Sequence, residues 1–532
     1  MTVKQIILAA AIIASIFAVM LSAPAAQAAP STYQTVASTG TIIRYTQTLT
    51  VGSSVNPAKV AVPILISGQI TAGENTYANL PISIQYSKDG LTWQGISSTS
   101  PDSVGTFKTE FIFPASGVYA VRATSGNQVV SYSQIIADRV VNLNGLEDST
   151  SIQAAIDSLP PSGGVVYVRS GLYDLQGASL VLRSNVALIG DGIDRTIIRL
   201  YPTMHYSGMS IEDAITSNSN IENLIVENFT LIQNAEPLNN HGGIILRGGD
   251  NTNIIMRDLK ITDISGAGIS IQNYFSNVIV ENCIIERTWT GIVVQNGFNA
   301  LIQGNTIKNA IGDGIYPQIQ SNGVTIENNY MENIGDTAID ISCPPPGIHR
   351  NTIVRNNTII NGPIRVSNAI DIEVANNSIR NGEIDVDAGQ GRPINIMVIG
   401  NHIISKDAAG IGFYGAENSS AENNIIEMTL PAINVTQTGI VAAIWGTGQI
   451  INNTILNSAN YGINFDGWRL GKESNITIQK NTIQNYGNYG IYDDNEAQLS
   501  VSLQGNVITS QKSTAQFPIL TMCPENQWTI NP

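Results

Sequence analysis

Between Gly312 and Asp387 the chain sets charged side chains in short phrases that return at near-regular intervals: Gly-Asp313-Gly-Ile-Tyr316, Gly-Asp336-Thr-Ala-Ile-Asp340, Pro-Ile-Arg365 and Glu-Ile-Asp385-Val-Asp387. Paired carboxylates suit general acid–base work across a glycosidic bond, one delivering a proton and the other taking or directing one. A carboxylate beside an arginine suits a second chemistry, removal of a proton next to a uronate group while the cation balances the charge that develops. The plain structural reading of the same residues is an ion-pair ladder on the outside of a sheet. Charge concentrated on contiguous repeats favours the chemical reading, because a scaffold has no need to gather it in one place.

Other chemistries find less support. The histidines are His205, His241, His349 and His402, and there is no Cys-x-x-Cys or His-Glu-x-x-His, so a transition-metal centre lacks its ligands. Asp385 and Asp387 with neighbouring carbonyls are oxygen donors of the type calcium takes, but Gly-Gly-x-Gly-x-Asp nonapeptides are absent. No cofactor is implied beyond that calcium ion. A formal charge of −15 and a pI near 4.7 argue against nucleic acid, whose binding rests on cations that meet phosphate.

The elements that must position these residues are repeats. An Asn or Asp shortly before an apolar residue recurs at Asn228, Asp258, Asn282, Asn305, Asn329, Asn357, Asn377, Asn401, Asn424, Asn453, Asn481 and Asn506, at intervals of 20 to 30 residues. That period, with apolar alternation on both sides, suits one coil of a parallel β-helix, about 12 coils in all. Asparagine tolerates the left-handed backbone of a tight bend, and stacked amides can bond from coil to coil. A second register is a small residue before Ile, as at Gly291-Ile292, Gly314-Ile315, Ala338-Ile339 and Gly410-Ile411. If each Ile points inward, the next residue points out. The outward column then reads Ser270, Val293, Tyr316, Asp340, Arg365, Asp385, Gly412, Asn434, Asn464 and Tyr492, with Gln318, Ser342, Ser367 and Asp387 in a parallel column two residues on. At about 4.8 Å per coil, Asp340 and Arg365 should touch, and Asp340 and Asp385 should lie roughly 10 Å apart.

The catalytic candidates are therefore Asp313, Asp336, Asp340, Arg365 and Asp385. The loops that follow these strands, Cys343-Pro-Pro-Pro-Gly-Ile-His349-Arg350 and Ala388-Gly-Gln-Gly-Arg392, together with Asp466-Gly-Trp468-Arg469, could wall a groove. His349, Arg350, Arg392 and Trp468 join Tyr316, Gln318 and Asp387 as candidate substrate contacts. Trp289 and Trp445 fall at other coil corners.

Residues 1–28 carry Lys4, an apolar run from Ile6 to Leu21 and small residues at Ala26-Gln-Ala28, the pattern of a secretory signal. An exported protein is expected, secreted or associated with the cell envelope. Residues 29–45 read as a linker and 46–140 as short alternating strands of a small β-sandwich. Residues 141–532 form the repeat domain. Its first element is a helix over 150–159, with Thr150 and Gln153 as a capping box and Ile152, Ala155, Ile156 and Leu159 on one face. Three cysteines, Cys283, Cys343 and Cys523, are too few for a disulfide framework.

Several of these stretches resemble known families. Pro81-Ile-Ser-Ile-Gln-Tyr86, Asp89-Gly-Leu-Thr-Trp93 and Gly117-Val-Tyr119-Ala-Val-Arg-Ala123 resemble the immunoglobulin-like modules of bacterial and archaeal surface proteins, which implies a spacer or binding module. Ser151 to Leu200, with Gly163-Gly-Val-Val-Tyr167-Val, resembles the start of the pectate-lyase-like superfamily. That resemblance implies a right-handed parallel β-helix with an N-terminal helix that caps its open end. Gly312-Asp313-Gly-Ile and Gly335-Asp336-Thr337-Ala-Ile resemble the Asn-Thr-Asp-Gly and Gly-Asp-Asp motifs of polygalacturonase-like hydrolases. The match implies Asp336 as acid and Asp313 as a holder of water, although Thr337 stands where the family has a third aspartate. Gly314-Ile-Tyr316-Pro317-Gln318 resembles the Asp-Pro-His strand of mannuronan C5-epimerases and alginate lyases, with Tyr for Asp and Gln for His. The expectation is an all-β protein that binds an extracellular polysaccharide and cleaves or modifies it. A non-catalytic surface or adhesion protein is the competing class.

Overall fold

The computed structural model describes residues 32–531 apart from internal stretches, the longest being 72–80, 201–212, 234–240, 430–436 and 466–473. The expected signal segment 1–28, Trp468, His205, Cys523 and Asn434 lie outside the described residues. Among the described residues no helix is long and apolar enough to cross a membrane.

The chain divides into two units. The N-terminal one holds two antiparallel sheets. One contains Thr32–Ser38, Thr41–Leu49, Gly52–Ser53, Pro63–Thr71 and Thr106–Ile112; the other contains Gln94–Thr99, Ile82–Ser87, Gly117–Ser125 and Val129–Ala137. Their inward side chains, among them Ile66, Phe107, Ile84, Tyr119 and Val121, share one buried core, as alternating apolar residues on two-layered sheets require. The stretch expected as a linker carries two strands, paired from Thr32↔Gln47 to Ser38↔Thr41. The Asp89-Gly90 turn lies outside the described residues, but its flanking strands pair, Tyr86 opposite Gln94. The expected helix is Ser149–Ser158, with Ile152, Ala155, Ile156 and Leu159 buried. Gln153 uses its amide on Val181, donating to its carbonyl at 3.2 Å and accepting its N–H at 2.8 Å. It thus supplies both bonds that a further strand would have made.

The larger unit is a parallel β-solenoid. One sheet has 14 strands, one per coil: the 12 coils read from the repeats and two earlier ones, Gly171–Asp174 and Thr196–Leu200, in which the asparagine phrase is missing. A larger parallel sheet holds the other two strands of each coil. Isoleucine and valine fill the interior in stacks, as Ile292, Ile315, Ile339, Ile364, Ile384 and Ile411 do in successive register.

The two roles expected of asparagine belong to consecutive residues. The left-handed residue is Asn328, Asn356, Asn376, Asn423 or Asn452, with φ of 55–57°. The residue after it, Asn329, Asn357, Asn377, Asn424 or Asn453, is buried and builds the ladder. Asn377, for example, accepts from the backbone and side-chain amides of Asn357 at 3.0 and 2.9 Å and donates to Val354 O and Asn401 Oδ1. The ladder runs unbroken from Asn305 to Asn506. Asn228, Asp258 and Asn282 sit at the left-handed position instead, so the sequence alignment was one residue out in those three coils. In the coil of Asn282 the ladder place falls to Cys283, fully buried, with burial as the first cause of its raised thiol pKa.

The strands that bear the candidate residues are β1 (Thr290–Gln295), β2 (Ile315–Gln318), β3 (Ile339–Ser342), β4 (Ile364–Ser367), β5 (Ile384–Asp387), β6 (Ala409–Glu417) and β7 (Thr438–Ile451).

Candidate functional site

Strand pairing puts Val293 beside Tyr316, aligns Ile315 with Ile339 and hence Tyr316 with Asp340, and continues Asp340↔Arg365↔Asp385↔Gly412. The next member is Val441, which pairs with Gly412 and then with Asn464. Asn434 does not hold that place. The phrase Gly439-Ile440 sets the register in this coil, and Ala432-Ile433 lies outside the described residues.

Asp313 and Asp336 stand just before β2 and β3, and they join the strand-face residues in one electrostatic cluster. Asp340 is 7% exposed. Burial is the main cause that lifts its carboxyl to about 7, with the charges of Asp313 and Asp336 adding and the Ser342 hydroxyl and Arg365 opposing. Asp313 is lifted to about 6 by burial and then by Asp336, against the Thr337 N–H and Arg365. Asp340 Oδ1 and Asp313 Oδ1 are buried atoms with no hydrogen-bond partner. A buried, unpartnered carboxylate oxygen is costly, and protonation relieves that cost. Asp336, the acid implied by the hydrolase resemblance, is exposed. Asp340 and Asp313 are the two carboxyls that burial raises, and Asp340 keeps its proton to the higher pH. Tyr316 is half-buried, and burial raises its phenol pKa, so it faces the cluster as a neutral hydroxyl.

Arg365 lies between Asp340 and Asp385 in register but pairs with the following coil. Its Nε is 3.7 Å from Asp385 Oδ2 and 3.4 Å from Asp387 Oδ2, and among the described residues Asp340 has no ion pair. Two carboxylates outbid one that holds its proton. Partial burial works against the Arg365 cation, and Asp385, Asp387, Asp340 and Asp336 more than offset it, raising its pKa. Because a guanidinium already occupies the space between Asp385 and Asp387, the pair does not fit a calcium ion. Among the described residues no group of three or more His, Cys, Asp or Glu is placed to hold a metal ion.

A groove of about 860 Å³ opens beside this arginine, lined by Arg365, Asp385, Asp387, Arg392, Tyr414 and Trp445. Arg392 lies on its wall, stacked 3.5 Å from the Trp445 ring centre and paired with Glu417 at 3.0 Å. Tyr414 was missed in the sequence. It pairs with Asp387 and continues the column Gln318, Ser342, Ser367, Asp387, which is the signal that would have found it. Gly412 makes room for it: a Cβ there would fall 2.2 Å from the Tyr414 ring. Gln318, in the same column, receives a bond from Gln295.

The structure does not bring the remaining candidates to this face. His349 is fully buried. Its Nδ1 accepts the Ser321 N–H at 3.2 Å, which leaves Nε2–H to donate to Ser342 O at 2.9 Å. Burial lowers its pKa, so it is a neutral tie that fixes the end of β3 from within. Arg350 is exposed but sits on the strand His349–Arg355, aligned with Asn322 and Ile370.

The family model described as "Right handed beta helix region" matches residues 210–379, which include Asp313, Asp336, Asp340 and Arg365. A curated relative, mannuronan C5-epimerase AlgE3 of Azotobacter vinelandii, is 27% identical over 155 residues. That match takes in 26% of this chain, and the chain spans 8% of that protein's length. Among solved structures, the A-module of mannuronan C-5 epimerase AlgE4 from Azotobacter vinelandii aligns at 18% identity and a TM-score of 0.38, covering 73% of this chain and 97% of that one. DFA-IIIase of Arthrobacter chlorophenolicus A6 aligns at 14% identity and a TM-score of 0.42, covering 61% and 95%. The larger unit is a parallel β-solenoid, of which residues 210–379 match the right-handed β-helix model, and helix is almost absent among the described residues.

Proposed function

We propose that this protein acts on an extracellular polysaccharide, with Asp340 and Asp313 as the proton-transferring pair and Arg365 as the cation that tunes them. The observation that carries the reading is the pair itself. Two carboxyls on adjoining coils are held near neutrality by burial, with pKa values of about 7 and about 6. Near pH 6.5 one keeps its proton and the other is largely ionised, which is the state that acid–base chemistry at a glycosidic bond or at a sugar C–H requires. Tyr316 and Ser342 add neutral hydroxyls, and the groove beyond Arg365 gives room for a sugar chain. The likeness to a protein named as a mannuronan C5-epimerase supports a glycan as substrate. The reaction is hydrolysis, lyase cleavage or epimerisation, and the three leave different products.

Residues 1–28 export the chain in this reading, to a secreted or envelope-associated location. The N-terminal sheets serve as an immunoglobulin-like spacer, and the helix Ser149–Ser158 caps the solenoid. Incubation with mannuronan, polygalacturonate and α-1,3-glucan tests the proposal, with unsaturated products, reducing ends and C5 configuration read separately. The competing reading, a glycan-binding surface protein without catalysis, draws on the ion pairs of Arg365 with Asp385 and Asp387, which suit a charge ladder. It expects binding with no change in any of the three product signals.

A further inference from the structure

Trp289 stands at the corner immediately before β1, tied by its main chain into a column of successive coils. Its N–H donates to Gly266 O at 2.9 Å, Gly312 N–H donates to Trp289 O at 2.7 Å, and Asp336 N–H donates to Gly312 O at 3.1 Å. The indole and the Asp336 carboxylate thus rise from backbones two coils apart, about 10 Å, with a glycine between them. A Cβ on Gly312 would come within 3.3 Å of Trp289 Nε1, so the indole lies over the space that a side chain at 312 would fill.

Trp289 is nevertheless 52% exposed, and Ile311 next to Gly312 is 63% exposed. A large apolar side chain left half in water forgoes part of its burial, and two such side chains lie side by side here. Trp93 and Trp445 each carry a guanidinium on the ring, 4.0 and 3.5 Å from its centre. The Trp289 ring carries none among the described residues, and its N–H has no acceptor there. A flat apolar face with one free donor at its edge matches a pyranose, which offers C–H groups on one face and oxygens around its rim.

We propose that Trp289 is a sugar-stacking subsite. One ring of the bound polysaccharide rests on the indole, Nε1–H donates to a sugar oxygen, and the next ring is delivered over Asp336, Asp313 and Asp340. Gly312 is the residue that lets the indole lie there. The inference rests on the reading of the site as a polysaccharide site and adds the contact that sets which bond meets the carboxylates.

Oligosaccharides of mannuronan, polygalacturonate and α-1,3-glucan are titrated by calorimetry into the full chain as wild type, Trp289→Ala, Trp289→Phe and Gly312→Ala. Wild type binds at least one of them. Trp289→Ala weakens that binding about tenfold or more, and Trp289→Phe recovers most of it. Gly312→Ala, which displaces the indole, falls between wild type and Trp289→Ala. In turnover, Trp289→Ala raises KM with little change in kcat, the mark of a contact made equally in ground and transition states. Because Trp289 is exposed, an unchanged thermal melt of Trp289→Ala separates lost contact from lost fold. Equal affinity of wild type and Trp289→Ala overturns the subsite and leaves the polysaccharide reading standing. A wild type that binds none of the three glycans overturns both.

Discussion

Replacing Asp340 by Asn should stabilise the protein relative to wild type by an amount that grows as pH rises from about 5 to about 7 and is constant above that. In the unfolded chain this carboxyl loses its proton near 3.8; in the folded chain burial holds the proton to about 7. Between those values the folded state binds a proton that the unfolded state has released, so wild-type stability falls as pH climbs from about 4 to about 7 and is flat, for this group, above that. A shift of about 3 units corresponds to about 4 kcal/mol at 1.36 kcal/mol per unit. Asparagine keeps the shape and removes the charge, so it escapes this cost but loses the proton's bonding at low pH. The expected result is that Asp340→Asn and wild type melt together at pH 5, while at pH 8 the variant is more stable by about 2–4 kcal/mol. Urea denaturation at the two pH values, followed by fluorescence and far-UV circular dichroism, measures it. A difference that is the same at pH 5 and pH 8 would refute the argument, because it would mean that the Asp340 carboxyl does not change charge between them. A gain in stability on removing a charge is what a residue kept for chemistry rather than for the scaffold displays.

Other outcomes follow from the same geometry. Arg365→Ala removes a cation that lowers the carboxyl pKa of both Asp340 and Asp313, so the pH transition of wild-type stability should move upward, and Arg365→Lys should move it less; carboxyl-region NMR titration reads both. Asn377→Ala deletes two acceptor bonds and two donor bonds in the buried ladder and should cost on the order of 3 kcal/mol, visible as an earlier urea midpoint; an unchanged midpoint would mean that the ladder adds nothing. Trp445→Ala removes the ring under Arg392 and should loosen glycan binding in the groove without altering the pH response of Asp340.

Much of the site could be read from the sequence because strand geometry is strict. A small residue before Ile fixes which side chain faces out, and parallel pairing carries that choice from coil to coil, so Tyr316, Asp340, Arg365 and Asp385 fall in one column. The readings that went astray each depended on something that pairing does not set. Two small-Ile phrases competed for one coil, and Ala432-Ile433 looked as good as Gly439-Ile440. The bend and the ladder sit on neighbouring asparagines, which a one-residue shift confuses. Arg365 is equidistant in register from Asp340 and Asp385, and it turns to the side that offers two acidic side chains, Asp385 and Asp387, rather than one. His349 follows a Pro-rich stretch that reads as an exposed loop, yet it opens a strand and its ring turns inward to tie Ser321 to Ser342. Asp313 and Asp336 precede the strands, where pairing says nothing of their side chains, but the corners are close enough for their charges to act on Asp340.

The pH dependence of turnover on a glycan that the wild type binds tests the central claim most directly. With Asp313 ionised and Asp340 protonated, activity should rise through about pH 6 and fall through about pH 7. Asp340→Asn and Asp313→Asn should each lose about a hundredfold or more in kcat while still binding the glycan. Activity that stays level across that range, or that survives both substitutions, would contradict the assignment of this pair as the acid and the base.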